Sequence, residues 1–245
     1  MSDSFAIAYA RLAELNSRPD PGHEEEGTAR AMNIVLEVPK SPRPPRTPLL
    51  EAAAIAVVGL CLSDEAGEDS PLAAGLAAWY GLRIRKIARR ARNKAWEDVQ
   101  KRPGFTANVA GAQARAFKPT LISETPAPLA KLQIGGTDLE PDSPGEPDPQ
   151  LPLILVDADL GMTVGKAAAQ VGHASMLLAA ALPEADARAW AEHGFALQVR
   201  EVPRTDFDTK VANAQRAGDV VVTVQDAGYT EVAPGSQTVA AIWPR

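Results

Sequence analysis

The run EPDSPGEPDPQLP at residues 140–152 constrains this chain more than any other feature. Each proline removes a backbone donor and keeps the residue before it out of helix, while the acids between them oppose burial. Such a run cannot be a buried element, so it divides the 245 residues in two. The expected organisation is a mainly helical region over 1–139, a proline-rich acidic linker over 140–150, and an α/β domain over 151–245. Proline also clusters at 39–48 and 119–128, and SPRPPRTP (41–48) reads as an extended loop or linker.

A hydrophobic share of 45% with 23% charged residues is an ordinary globular balance, which excludes a fibrous or wholly disordered chain. The single cysteine, Cys61, lies in the apolar run AAAIAVVGLCL and is expected to be a buried, inert thiol in a reducing compartment. The longest uncharged stretch, 167–183, contains Gln170 and His173, so no membrane partner is expected. The opening MSDSFAIAYAR puts Asp3 before any basic residue, unlike a signal peptide, and the expected location is the cytoplasm.

A formal net charge of −6 argues against nucleic acid until it is resolved along the chain. Residues 83–102 hold nine Lys or Arg against two acids. Counterion release depends on the local cluster that meets the phosphates, so Arg83, Arg85, Lys86, Arg89, Arg90 and Arg92 form a candidate RNA-binding surface. They are expected within one or two helices over 71–101, with Ile84, Ile87, Ala91 and Ala95 on one stripe. On a helix these cations wrap more than one face.

Helices are also expected at 4–18 and in HEEEGTARAMNIVLEV (23–38), and LLEAAAIAVVGLCL (49–62) is apolar all round, as in a helix buried by neighbours. FTANV and QARAF, separated by Ala-Gly-Ala, resemble a hairpin. Beyond the linker, LPLILVD, FALQVREV, DVVVTVQ and QTVAAIW read as strands. Between them fall a helix from about Lys166 to Leu182, another in EADARAWAEHG closed by Gly194, and a third in TDFDTKVANAQRAG capped by Thr205. The order βααβαββ predicts a three-layer α/β/α sandwich on a four-stranded mixed sheet.

GMTVGKA (161–167) follows a strand and opens a helix, yet it is not a phosphate-binding P-loop. Gly161 and Gly165 enclose three residues rather than four, and Ala167 stands where a magnesium-binding hydroxyl is needed. Lys166 nevertheless stands in a helix's first turn, where its charge and the unpaired N–H groups would hold an anion or a developing oxyanion. Lys166, Gln170 and His173 follow at i, i+4 and i+7 and share one face. Asp226 closes a strand at its carboxyl end, the edge where open α/β sheets bind ligands. No metal site is expected, because His23, His173 and His193 lack ligand spacing and HEEEG is not HExxH. A G-x-S-x-G elbow is absent from the sequence, which disfavours a serine hydrolase.

DLGMTVGKAAAQVGHAS followed by QDAGYTEVAPGSQTVAAIWP resembles the type-2 peptidyl-tRNA hydrolase family. Its pattern is a DLxMxxGKxAAQxxHA helix start, a DAGxT turn and a PGxxT strand, and the likeness spans about 151–245. The first part is more faintly similar to a helical extension of some bacterial members, with RIRKIARRAR as its marker. The resemblance implies hydrolysis of the peptidyl-tRNA ester without metal or cofactor, in translation and ribosome rescue, with tRNA as partner and a homodimer as one arrangement. It assigns Lys166, Gln170, Asp226 and Thr230 to catalysis and places His173 and Thr238 along the site. Val164 stands where the family usually has a second lysine and Asp157 where it often has arginine. The chain ends at Trp243-Pro244-Arg245, where the family pattern continues. The competing expectation is a hydrolase-like RNA-binding or adaptor protein that has lost activity.

Overall fold

The computed structural model describes residues 3–17, 24–226, 228 and 231–245. Helix α1 (Ser4–Ala13) starts where the Asp3 carboxylate accepts the Ala6 N–H at 3.1 Å. Then come β1 (Arg30–Glu37), α2 (Arg46–Cys61), the short α3 (Asp64–Gly67) and α4 (Pro71–Tyr80). Ser70 caps α4, and Pro71 fits its first turn because it has no N–H to leave unpaired. The first part continues with β2 (Arg85–Ala91), α5 (Lys94–Gln100), the hairpin of β3 (Phe105–Val109) and β4 (Ala112–Ala116), β5 (Thr120–Leu121) and α6 (Ala127–Ala130). The second part runs β6 (Leu153–Asp157), α7 (Val164–Ala181), α8 (Glu184–Glu192), β7 (Gln198–Val202), α9 (Arg204–Ala217), β8 (Val220–Gln225) and β9 (Gln237–Trp243).

The α/β class, the four-stranded mixed sheet and the order βααβαββ of the second part are as expected. In the first part, two segments expected as helix are strands. β1 is buried on both faces, with Met32, Ile34 and Leu36 in the main core and Val35 in a smaller cluster behind. A doubly covered strand has no polar alternation to announce it. β2 replaces the centre of the helix expected over 71–101. Its Ala88 faces the main core and Ala91 the cluster behind, and long cationic side chains fill the positions between. Helix α9 begins at Arg204, two residues before a Thr205 cap would start it, and Pro203 stands at its cap.

In the first sheet β1 pairs parallel with β2 and antiparallel with β4, which pairs antiparallel with β3, giving the order β2-β1-β4-β3 with β5 against the start of β1. In the second, β6 pairs parallel with β7 and antiparallel with β9, which pairs antiparallel with β8, giving β7-β6-β9-β8. Apart from β5, the two sheets therefore repeat each other in strand order and direction.

Helices α2 and α7 run against one another between the sheets and share one core with both. Small residues let them approach. A Cβ on Gly172 would lie 2.7 Å from Val57 Cγ2, and Ser175 Oγ donates to the Ala54 carbonyl at 2.8 Å. The outer face of the first sheet carries Trp96 and Val99 of α5, and that of the second carries Phe207 and Val211 of α9. Residues 140–150 form no helix or strand but are tied down. Asp142 accepts the Thr47 N–H at 3.0 Å and its hydroxyl at 2.6 Å, and Arg200 donates to the Gly145 carbonyl at 2.8 Å. Among the described residues no helix is long and apolar enough to cross a membrane.

Candidate active site

Asp157 closes β6, and the chain turns through Gly161, whose φ of 57° is left-handed, into Thr163 at the head of α7. Thr163 Oγ1 accepts the Lys166 N–H at 3.2 Å and donates to Glu231 at 2.7 Å, while Glu231 also accepts the Thr163 N–H at 2.9 Å. The Gly165 N–H donates to Thr137 Oγ1 at 3.0 Å, a buried contact from the segment before the linker. The Thr163, Gly165 and Lys166 N–H groups at the start of α7 are therefore already committed to protein oxygens. This corrects the expectation of a helix start open to an anion, and it leaves side chains to do that work.

Lys166 and Gln170, one turn apart on α7, both reach Asp226 just beyond β8. The Lys166 ammonium pairs with Asp226 Oδ2, and Gln170 Nε2 donates to the same oxygen at 2.6 Å. The other oxygen, Oδ1, accepts the Gly228 N–H at 2.8 Å. Thr238 on β9 donates to Gln170 Oε1 at 3.0 Å, which turns the amide so that its NH₂ faces Asp226. Asp226 is fixed along its backbone too, donating to Ser236 O at 2.9 Å and accepting from Gly235 N at 2.8 Å. Gly228 is required here. Its φ is +78°, and a Cβ would meet Pro234 Cγ at 2.3 Å. The result is a carboxylate held by three donors on two elements, with little freedom to turn.

His173 shares the Lys166 face but stands apart from this network. Its imidazole is held well below the usual histidine range by burial and then by the Lys86 charge. Thr230 lies outside the described residues. Asp157, where the family pattern often has a cation, is matched by Arg204 at 3.3 Å.

The basic segment is redistributed by its strand. Glu24 accepts the Arg83 N–H at 2.7 Å and pairs with Arg85 at 2.5 Å. The Lys86 ammonium is sealed from solvent 5.0 Å over the Trp79 ring, and burial pushes it down to about 7. Arg89 is buried, donating to Asn33 Oδ1 at 2.7 Å and Leu132 O at 3.0 Å. Arg90 reaches Gly135 O at 3.0 Å, and Arg92 stays half-buried. This corrects the picture of cations wrapped around a helix, since Lys86 and Arg89 turn their heads inward.

Sequence reasoning did not single out Thr163, Glu231 or Thr137. The first two had a signal, a threonine three residues before Lys166 and an acid directly after the DAGYT turn. Thr137 had none, because its contact crosses from one part of the chain to the other. Among the described residues, no three His, Cys, Asp or Glu side chains gather as metal ligands.

The arrangement offers a buried cation, an oriented amide and an immobilised carboxylate at the mouth of a sheet, which suits charge stabilisation and placement of a small molecule such as water. The family described as Peptidyl-tRNA hydrolase PTH2 matches residues 152–245. A peptidyl-tRNA hydrolase of Halobacterium salinarum is 34% identical over 93 residues, which cover 38% of this chain and 83% of that protein. Human mitochondrial peptidyl-tRNA hydrolase 2 is 32% identical over 123 residues, covering 48% and 69%. The Sulfolobus acidocaldarius peptidyl-tRNA hydrolase is 34% identical over 100 residues, covering 37% and 83%. The chain belongs to the peptidyl-tRNA hydrolase PTH2 family. The PTH2 match lies within the second part, and Lys166, Gln170, Asp226, Thr230 and Thr238 all fall inside it.

Proposed function

We propose that this protein hydrolyses the ester joining a peptide to the ribose of tRNA, releasing peptide and free tRNA. The observation that carries the reading is the convergence of Lys166 and Gln170 on Asp226 within the PTH2 match. Lys166 supplies positive charge to the tetrahedral oxyanion or to a neighbouring phosphate. Asp226, its lone pairs committed to three donors, orients rather than abstracts a proton, and with Thr230 it positions the attacking water. Gln170, steered by Thr238, keeps the carboxylate in place, and His173 lines the approach farther along α7.

For tRNA, Arg83, Arg85, Arg90 and Arg92 are the members of the basic segment proposed to meet phosphates, while Lys86 and Arg89 serve the interior. RNA is gripped largely through phosphates and 2′-hydroxyls, which suits such scattered cations. The proposed setting is translation and ribosome rescue in the cytoplasm. Incubating full-length protein with N-acylated aminoacyl-tRNA tests the reading. Free tRNA should accumulate, and Asp226→Asn should slow its release. Unchanged turnover in that variant would remove the essential role given to the carboxylate.

A further inference from the structure

No catalytic residue is assigned to the first part of the chain, yet four strands of its sheet repeat the second in order and direction. The correspondence extends to the helices. As α7 follows β6, so α2 follows β1, and each sits between its own sheet and the other helix. Pro45 stands at the cap of α2 where Thr163 stands at the cap of α7. Counted from these caps, Gly172 and Ser175 stand nine and twelve positions along α7, and Ala54 and Val57 nine and twelve along α2. The helices meet where Gly172 packs on Val57 and Ser175 Oγ donates to the Ala54 carbonyl at 2.8 Å, two contacts that exchange when the modules are swapped. Two like modules related by an approximate two-fold axis touch in this way.

Counting from these caps shows what the first module lacks. Lys166, Gln170 and His173 stand three, seven and ten positions after Thr163, and the same steps from Pro45 reach Pro48, Ala52 and Ile55. All three are apolar and offer neither a charge nor an amide. The loop that carries Asp226 between β8 and β9 is also missing, since β3 and β4 are joined by Ala110 and Gly111 alone.

We infer that residues 30–116 are a second, catalytically silent copy of the PTH2 module, and that it serves as a built-in partner for the small-residue face of α7. The chain is then an intramolecular pair with one site, and its α7 face is closed to a second chain. The naming of that site rests on the proposed function, but the pairing does not.

Two measurements on the full chain test the pairing. By light scattering the protein should hold a monomer mass of 25.9 kDa from dilute to concentrated solution. A concentration-dependent dimer would overturn the built-in partner. Val57 Cβ lies 3.4 Å from the position of a Gly172 Cβ, close to the roughly 3.5–4.5 Å that a disulfide needs. Val57→Cys with Gly172→Cys should therefore oxidise to a cross-linked monomer, and cross-linked dimers would contradict the arrangement. If the double variant does not fold, the mass of the parent decides. For the silent copy, a folded Lys166→Ala, Asp226→Asn double variant of a parent that turns over should leave no saturable hydrolysis. Saturable hydrolysis that survives in the double variant would show a working site in the first module.

Discussion

Breaking the pair between Lys166 and Asp226 is the perturbation whose size the structure sets most directly. Their side chains are 12% and 8% exposed, so neither charge is replaced by bulk water when its partner goes. Losing one partner of a buried pair costs about 3–5 kcal/mol. Asp226 keeps the Gln170 amide and the Gly228 N–H after Lys166→Met, which puts the loss at the lower end, about 3 kcal/mol. Asp226→Asn removes the carboxylate charge that faces the Lys166 ammonium and should cost a similar amount. The double variant removes both charges, so its loss should fall short of the sum by roughly 1–3 kcal/mol. Urea unfolding followed by tryptophan fluorescence is a suitable assay, because Trp190 and Trp243 stack edge to face at 5.6 Å in the same module. Single costs below about 0.5 kcal/mol that simply add would mean that the pair behaves like an exposed one, and the argument from burial would fail.

Thr137→Val leaves the Gly165 N–H unpaired in the interior and should destabilise by about 1–3 kcal/mol; an effect within about 0.5 kcal/mol would deny that the first part braces α7. Lys86 is pushed down to about 7 from 10.5, so between these values the unfolded chain binds more protons and stability should rise with pH, by up to about 1.4 kcal/mol per unit. Cys61 and Tyr80 beside it are pushed upward and oppose that trend at high pH, so the comparison of parent with Lys86→Met belongs between pH 7 and about 9. The slope should flatten in the variant, and identical slopes would mean that the ammonium is solvated. Gly228→Ala should lower turnover and melting temperature together, since φ of +78° and the Pro234 contact both oppose a side chain; a neutral result would show that the Asp226 loop is not held this way. Charge reversal at Arg90 and Arg92 should weaken tRNA binding and reduce its dependence on salt, and an unchanged salt slope would remove these residues from the interface.

Much of the second part was legible because its signals are local. DVVVTVQ and QTVAAIW are rich in β-branched residues, and Lys166 and Gln170 sit one helical turn apart, so the strands follow from composition and the shared face from spacing. The partner of that face, Asp226, was legible from its place at a strand end. The first part was harder for physical reasons. β1 is covered on both faces and shows no alternation, while β2 sets its cations in adjacent pairs between apolar residues, so Ile84, Ile87 and Ala91 mimic a helical stripe. The destination of Lys86 and Arg89 depends on Trp79 and Asn33, which no local pattern brings near them. The linker carried its message in composition, and its lack of regular structure followed from proline, but its anchorage by Thr47 and Arg200 is tertiary.

The central claim is that the Lys166, Gln170 and Asp226 group cleaves peptidyl-tRNA. Single-turnover release of tRNA from N-acylated aminoacyl-tRNA, by parent and Lys166→Ala side by side, tests it most directly. The account predicts rapid release by the parent and a loss of about 10²–10³-fold in the variant, the scale for removing one donor to a developing oxyanion. A folded parent that releases no tRNA, or a Lys166→Ala protein that matches it, would contradict the account, and the first outcome would favour an RNA-binding adaptor on the same fold.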